Sequence, residues 1–280
     1  MKIGLALSGG GVRAAAHIGV LKAFEENGIK VDMIGGTSAG SIVAALYAMG
    51  YTPKEMLYLF KKFAKEMIRV TPKYQKPDGK KVLSIHVGGI LSGENISKIV
   101  DKIALEKNVY NMEDIKMPLV IVATDIDEGE KYVFTNFKKE EKYYIKGSKI
   151  GIATRASSSY PGVYAPCIYK GHKFVDGGVL DNIPTEEVRK LGADKVISVK
   201  FKLNKKGKVE GLANVSLKSV DMIFDKRAKD EVQKADIVID IDTNNVSIFN
   251  IKKIEECYNY GYEQTILQIN QIREQINKNT

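Results

Sequence analysis

No run of apolar residues approaches the roughly 20 needed to cross a bilayer as a helix, although hydrophobic residues make up 44% of the 280-residue chain. The opening Ile3–Leu7 run breaks at Ser8-Gly9-Gly10-Gly11 and then meets Arg13, too short for the core of a signal peptide. The expectation is a protein made and kept in the cytoplasm. Cysteine is scarce: Cys167 and Cys257 show no metal-ligand spacing and no disulfide framework, so both read as reduced packing residues. Only 7 prolines occur, and they are scattered, so no Pro-rich linker marks a boundary. No fixed-period repeat or low-complexity tract is present. One domain over residues 1–280 is expected, with a motif-bearing core at about 1–200 and a closing strand and helix at about 236–276. Histidine is the most telling shortage. His17, His86 and His172 are all there is, which leaves a Ser-His-acid triad few bases to draw on.

Charge is lopsided: 43 Lys+Arg against 34 Asp+Glu give a net +9. The most basic window, residues 61–81, holds Lys61, Lys62, Lys65, Arg69, Lys73, Lys76, Lys80 and Lys81 against Glu66 and Asp78. Such a surplus is a solvated face or an attraction to anionic lipid head groups. No nucleic-acid motif accompanies it, so a nucleic-acid partner is not expected. The sequence carries no signal for oligomeric state.

Strand, glycine turn and helix follow one another twice at the start. Lys2 to Leu7 reads as a buried strand, and Ala14 to Asn27 as a helix stopped by Gly28. Val31 to Ile34 reads as a second strand, and a second helix starts at about Ala39 and ends at Gly50. Residues 118–124, 195–200 and 237–241 read as further buried strands, and Pro184 to Leu191 as a connecting helix. Ile251, Ile254, Tyr258, Tyr262, Ile266, Ile269, Ile272 and Ile276 recur every three or four residues, the pattern of one amphipathic closing helix. This is the grammar of an α/β fold on a mainly parallel sheet. The poorly periodic basic stretch from Arg69 to Gly93 is the candidate lid.

Three glycine motifs carry chemistry. Gly36-Thr37-Ser38-Ala39-Gly40 lies between a strand and a helix, where small neighbours allow the strained turn that projects a nucleophilic hydroxyl. The following helix would turn its positive end toward Ser38. Gly9-Gly10-Gly11-Val12-Arg13 follows the first strand, and its bare amides suit an oxyanion hole. Neither G-x-x-x-x-G-K-[ST] nor G-x-G-x-x-G is present, which argues against a nucleotide loop. Val175-Asp176-Gly177-Gly178 offers a carboxylate that another loop can approach closely, and Asp176 could accept the Ser38 proton. No histidine follows Asp176, so a Ser-acid-His order would need Asp125 or Asp127 with His172. His17, on the first helix, reads as a packing or loop-supporting residue. The Ser157-Ser158-Ser159 run reads as a turn whose hydroxyls bond backbone.

Taken together, Gly9–Arg13 with His17-Ile18-Gly19-Val20-Leu21, Gly36–Gly40, Ala156-Ser157-Ser158-Ser159-Tyr160-Pro161-Gly162 and Asp176–Gly178 resemble the four ordered blocks of bacterial patatin-like phospholipases. The resemblance spans roughly residues 4–200. It implies a three-layer α/β/α fold, a Ser–Asp dyad without histidine, and hydrolysis of acyl esters in lipids without metal or other cofactor. By position, Ser38 becomes the nucleophile, Asp176 the base, and Gly9, Gly10 and Gly11 the oxyanion amides. Arg13 matches the family's basic position and is a candidate head-group contact. Ala14 departs from the glycine common there. Two alternatives stand beside this reading: a triad esterase using His172, and a lipid- or protein-binding regulator with a vestigial site. The expected partner is a lipid or acyl ester, with peripheral association at an anionic inner membrane surface.

Overall fold

A computed structural model describes residues 1–67, 74–75, 81–82, 91–137, 141–202 and 211–278. The chain begins β1 (Ile3–Leu7), α1 (Ala15–Glu26), β2 (Met33–Thr37), α2 (Ala39–Ala48) and α3 (Pro53–Met67). Next come β3 (Tyr74–Gln75), β4 (Lys81–Val82), α4 (Glu94–Glu106), β5 (Leu119–Asp125), β6 (Glu130–Thr135), β7 (Tyr144–Ile145) and α5 (Ile150–Ser157). β8 (Cys167–Tyr169), β9 (His172–Asp176), α6 (Thr185–Lys190), β10 (Lys195–Phe201) and α7 (Leu212–Val232) follow. β11 (Ile237–Ile241), α8 (Ile254–Leu267) and α9 (Ile269–Asn277) close the chain.

The main sheet runs β11-β10-β1-β2-β5-β6-β7, with β9 also on β5 and β8 on β9. From β11 to β5 every pairing is parallel, while β6, β8 and β9 bring in antiparallel pairs. All five residues of β1 and of β2 are buried, as a parallel strand covered on both faces requires. Leu5, Leu7 and Ile34 join α1, α2 and α3 in the larger core. Ala6, Met33, Val120 and Val122 pack with Ile183, Val188 and Leu191 around α6 on the other face. Helices therefore cover both faces, and the α/β/α layering expected from the sequence is what the chain adopts.

Several boundaries differ from the sequence reading. β2 is Met33–Thr37, so Gly35 and Gly36 lie inside the strand, packed between β1 and β5, rather than in a turn after it. The closing helix is two helices broken at Gln268 (φ −113°, ψ 11°), a non-helical step that keeps Ile269, Ile272 and Ile276 buried. α7 has no counterpart among the expected elements. Of the stretch expected to act as a lid, residues 69–93, only 74–75, 81–82 and 91–93 are among the described residues.

Candidate active site

Strand register brings the two key side chains together. The first half of β5 pairs with β2, setting Thr37 opposite Val122; its second half pairs with β9, setting Asp176 opposite Ala123. β2 and β9 thus meet end to end along one edge of β5, and the residue after Thr37 is Ser38. Gly177 makes the junction fit, because a Cβ there would strike the Val122 carbonyl and crowd Thr37.

Ser38 has φ 53° and ψ −133°, a left-handed φ that a non-glycine residue holds only under strain from its surroundings. Its amide donates to Ser157 Oγ at 2.9 Å, and its carbonyl accepts from the Ser41 amide at 2.9 Å. α2 starts immediately beyond with no side-chain cap, so its positive end is left for a ligand. A Cβ on Gly40 would run into the Ser8 carbonyl, so only glycine lets α2 start this close to the end of β1. The serine run expected to bond nearby backbone does more. Ser157 anchors Ser38, and the Ser159 carbonyl accepts the Asp176 amide at 3.0 Å.

Asp176 is fully buried, and that burial pushes its pKa from the ordinary 3.8 up to about 7, against the pull of the Ser38 hydroxyl and the Gly178 amide. Oδ1 accepts from Gly178 N at 2.9 Å. Oδ2 has no partner of regular geometry among the described residues, and Ser38 is the side-chain donor acting on the carboxyl. A buried carboxyl with one open oxygen beside a strained hydroxyl is an arrangement that suits proton transfer between the two.

The glycine loop needs one correction. Gly9 was expected to offer an oxyanion amide, but its N–H already donates to Asn182 O at 3.2 Å and Oδ1 at 3.1 Å, so it fixes the loop instead. Among the described residues the amides of Gly10, Gly11 and Ala39 have no acceptor, and all three residues line the same cavity as Ser38. Ala39, the residue after the serine, presents an open amide that the sequence reading did not single out. His17 Nε2 lies 2.9 Å from the Ser8 carbonyl, which can only accept, so this nitrogen carries the proton. Burial lowers its pKa to about 4, keeping the ring neutral, and it packs on Phe201 at 4.7 Å between centroids. Arg13 Nε donates to Gly10 O at 3.3 Å while the guanidinium sits 5.7 Å over the Phe201 ring, and burial lowers its pKa with Asp221 opposing. Arg13 thus clamps the loop and borders the cavity at once.

The cavity has two characters. Ile42, Phe60, Ala64, Met67 and Ile96 from α2, α3 and α4, with Tyr164 from the loop between α5 and β8, give an apolar lining that suits a hydrocarbon chain. Arg13, Lys200, Asp221 and Asp225 give the cavity its charges, with Lys200 ion-paired to Asp240 and Tyr160 OH donating to Asp221 at 2.9 Å. α7 supplies Asp221, Phe224, Asp225 and Ala228, so an element the sequence did not announce forms part of the site.

His172 does pair with Asp125, Nδ1 to Oδ2 at 2.7 Å, but neither borders the cavity that holds Ser38. Asp125 Oδ1 accepts the Asp127 and Glu128 amides at 2.8 and 3.1 Å, the bonding of a turn cap. Asp125, Glu128 and His172 hold ligand-type atoms within 4.8 Å of one another, yet Asp125 has both oxygens engaged and Glu128 accepts from Tyr132 OH at 2.8 Å. The structure separates the His172–Asp125 pair of the triad alternative from Ser38.

A strained serine at a strand–helix junction, facing a buried carboxyl on an α/β/α sheet, is the arrangement of serine acyl hydrolases. The family model for patatin-like phospholipases matches residues 5–189, and the chain belongs to that family. It is 33% identical over 199 residues to patatin-like phospholipase domain-containing protein 6 of Homo sapiens, covering 70% of this chain and 13% of that protein. Lysophospholipase NTE1 of Meyerozyma guilliermondii is 34% identical over 197 residues, 70% of this chain and 12% of that protein. The chain therefore spans only about an eighth of the length of these curated relatives. Both are eukaryotic, so the narrower bacterial grouping rests on the motif blocks alone. Among solved structures, VipD of Legionella pneumophila matches with TM-score 0.55 at 15% identity, covering 96% of this chain and 67% of that one. The type III effector ExoU matches with TM-score 0.53 at 17% identity over 96% of this chain and 53% of that one. At such identities the likeness is one of fold.

Proposed function

We infer that this chain hydrolyses carboxylic esters of lipids by a Ser38–Asp176 dyad, as a phospholipase A or lysophospholipase of the patatin-like type. The observation that carries the reading is a fully buried carboxyl with one oxygen unpartnered among the described residues, set by strand register beside the end of β2, where the next residue is a serine held at φ 53°. Ionised Asp176 takes the Ser38 proton as Oγ attacks the ester carbonyl, and the amides of Gly10, Gly11 and Ala39 receive the oxyanion. Collapse expels the alcohol, which takes the proton from Asp176 and leaves an acyl-serine. Water then attacks the acyl group with Asp176 again as base, and Ser38 is regenerated. The aliphatic lining supports an acyl chain there, and Arg13 supports a lipid phosphate.

The same reading places a single hydrolase unit over residues 1–280 in the cytoplasm, grouped with bacterial members of the family and touching the anionic inner membrane surface; the net charge of +9 supports that last part. Among the described residues no helix is long and apolar enough to cross a membrane. The test is mass spectrometry of lipid products from phospholipid and lysophospholipid incubated with the protein and with Ser38→Ala. Fatty acid released by the first and not the second is expected; equal release by both removes Ser38 from the chemistry.

A further inference from the structure

α7 presents two faces that differ in kind. Its inner side contributes Asp221, Phe224 and Ala228 to the cavity. Its outer side exposes Val215, Met222 and Ile223, with Met222 at 64% exposure. At about 100° per residue these three fall within roughly a third of the circumference, so they form one stripe rather than scattered surface residues. Lys218 and Arg227 flank that stripe and Lys226 lies within it, three cations against the one exposed carboxylate there, Asp230, and none of the three cations has an ion pair among the described residues. Phe249, also exposed at 39%, lines the same cavity as Asp225 and Ala228.

We propose that the outer face of α7, with Phe249, is the surface by which this chain docks on an anionic lipid bilayer. An apolar stripe flanked by cations is the pattern of an interfacial helix: the apolar side chains enter the head-group boundary while lysine and arginine meet lipid phosphates. The charge complementarity selects an anionic lipid surface over an uncharged one. The stripe lies on the side of α7 away from Asp221, Phe224 and Ala228, so docking there holds the helix that walls the cavity against the membrane. The helix is also wired to the catalytic loop, because Asn182 Nδ2 donates to Phe224 O at 3.3 Å while Asn182 Oδ1 holds the Gly9 amide at 3.1 Å.

The proposal rests on the reading of the chain as a lipid hydrolase, but it is tested by binding. Sedimentation with phosphatidylcholine vesicles, with and without phosphatidylglycerol, compares the protein with Met222→Ser/Ile223→Ser and with Lys226→Glu/Arg227→Glu. Binding that needs phosphatidylglycerol and weakens with salt is expected. The charge-reversal pair should lower it at least about 25-fold, at about fivefold for each cation removed, and the serine pair at least about tenfold. Hydrolysis of water-soluble p-nitrophenyl butyrate at the wild-type rate shows that both variants are folded. Wild-type protein that ignores phosphatidylglycerol vesicles, as one serving a protein partner would, overturns the proposal. So do variants that bind like wild type. Ser38→Ala should bind vesicles normally; if binding is normal but the active protein releases no fatty acid, the hydrolase reading fails and the docking surface stands.

Discussion

Replacing Asp176 by asparagine should abolish turnover and stabilise the fold, with a gain that grows as pH rises. The Asp176 pKa is raised from 3.8 to about 7, so the group favours folding fully below pH 3.8 and loses that contribution as pH climbs to about 7. At alkaline pH the ionised, buried carboxylate costs about 4 kcal/mol relative to its unfolded state, at 1.36 kcal/mol for each factor of ten. At pH 5.5 the folded group is still protonated, and the cost is about 2 kcal/mol. The amide that replaces the carboxyl does not titrate, so the stability difference between variant and wild type should widen by about 2 kcal/mol from pH 5.5 to 8.5. For a chain of this size that is about 4 °C in Tm. Thermal melts of both proteins at the two pH values measure it, and other titrating groups cancel in the difference. Ester turnover by wild type should rise with pH through about 7 as the base ionises, with about a tenth of full activity at pH 6. A Tm difference that does not change with pH would refute the assignment of a raised pKa to Asp176. So would a flat activity profile between pH 6 and 8.

Three further outcomes follow from the same geometry. A Cβ on Gly10 would collide with the Phe201 ring, so Gly10→Ala should shift the oxyanion loop and lower kcat by about 10²–10³ with binding little changed, read from steady-state kinetics. His172→Ala should keep ester turnover within about twofold while losing about 1–3 kcal/mol in denaturant melts, because Asp125 Oδ2 loses its partner. Ser38→Gly should be inactive yet more stable than Ser38→Ala by about 1 kcal/mol, since glycine accepts the φ of 53° at which alanine stays strained.

The parts legible in the sequence are those with local causes. Gly36-Thr37-Ser38-Ala39-Gly40 announces a strand–turn–helix junction because glycine on either side of the serine is a steric requirement of that turn. The parallel strands declare themselves through short apolar runs between glycines. What stayed hidden depends on partners far along the chain. Gly9 looks like its neighbours, and only Asn182, 173 residues away, occupies its amide. Ser157 reaches Ser38 across 119 residues. α7 escaped notice because it has apolar side chains both inward, at Phe224 and Ala228, and outward, at Met222 and Ile223, which blurs the helical period. The closing helix looked continuous because isoleucine spacing persists through Gln268, where the backbone leaves helical values.

The central claim, that Ser38 attacks the ester and carries the acyl group, is tested most directly by rapid acid quench of the enzyme during p-nitrophenyl ester turnover, followed by peptide mass spectrometry. The account predicts an added acyl mass on the peptide containing Ser38, absent in Ser38→Ala. Steady turnover with the acyl mass on another residue, or with turnover undiminished in Ser38→Ala, would contradict it.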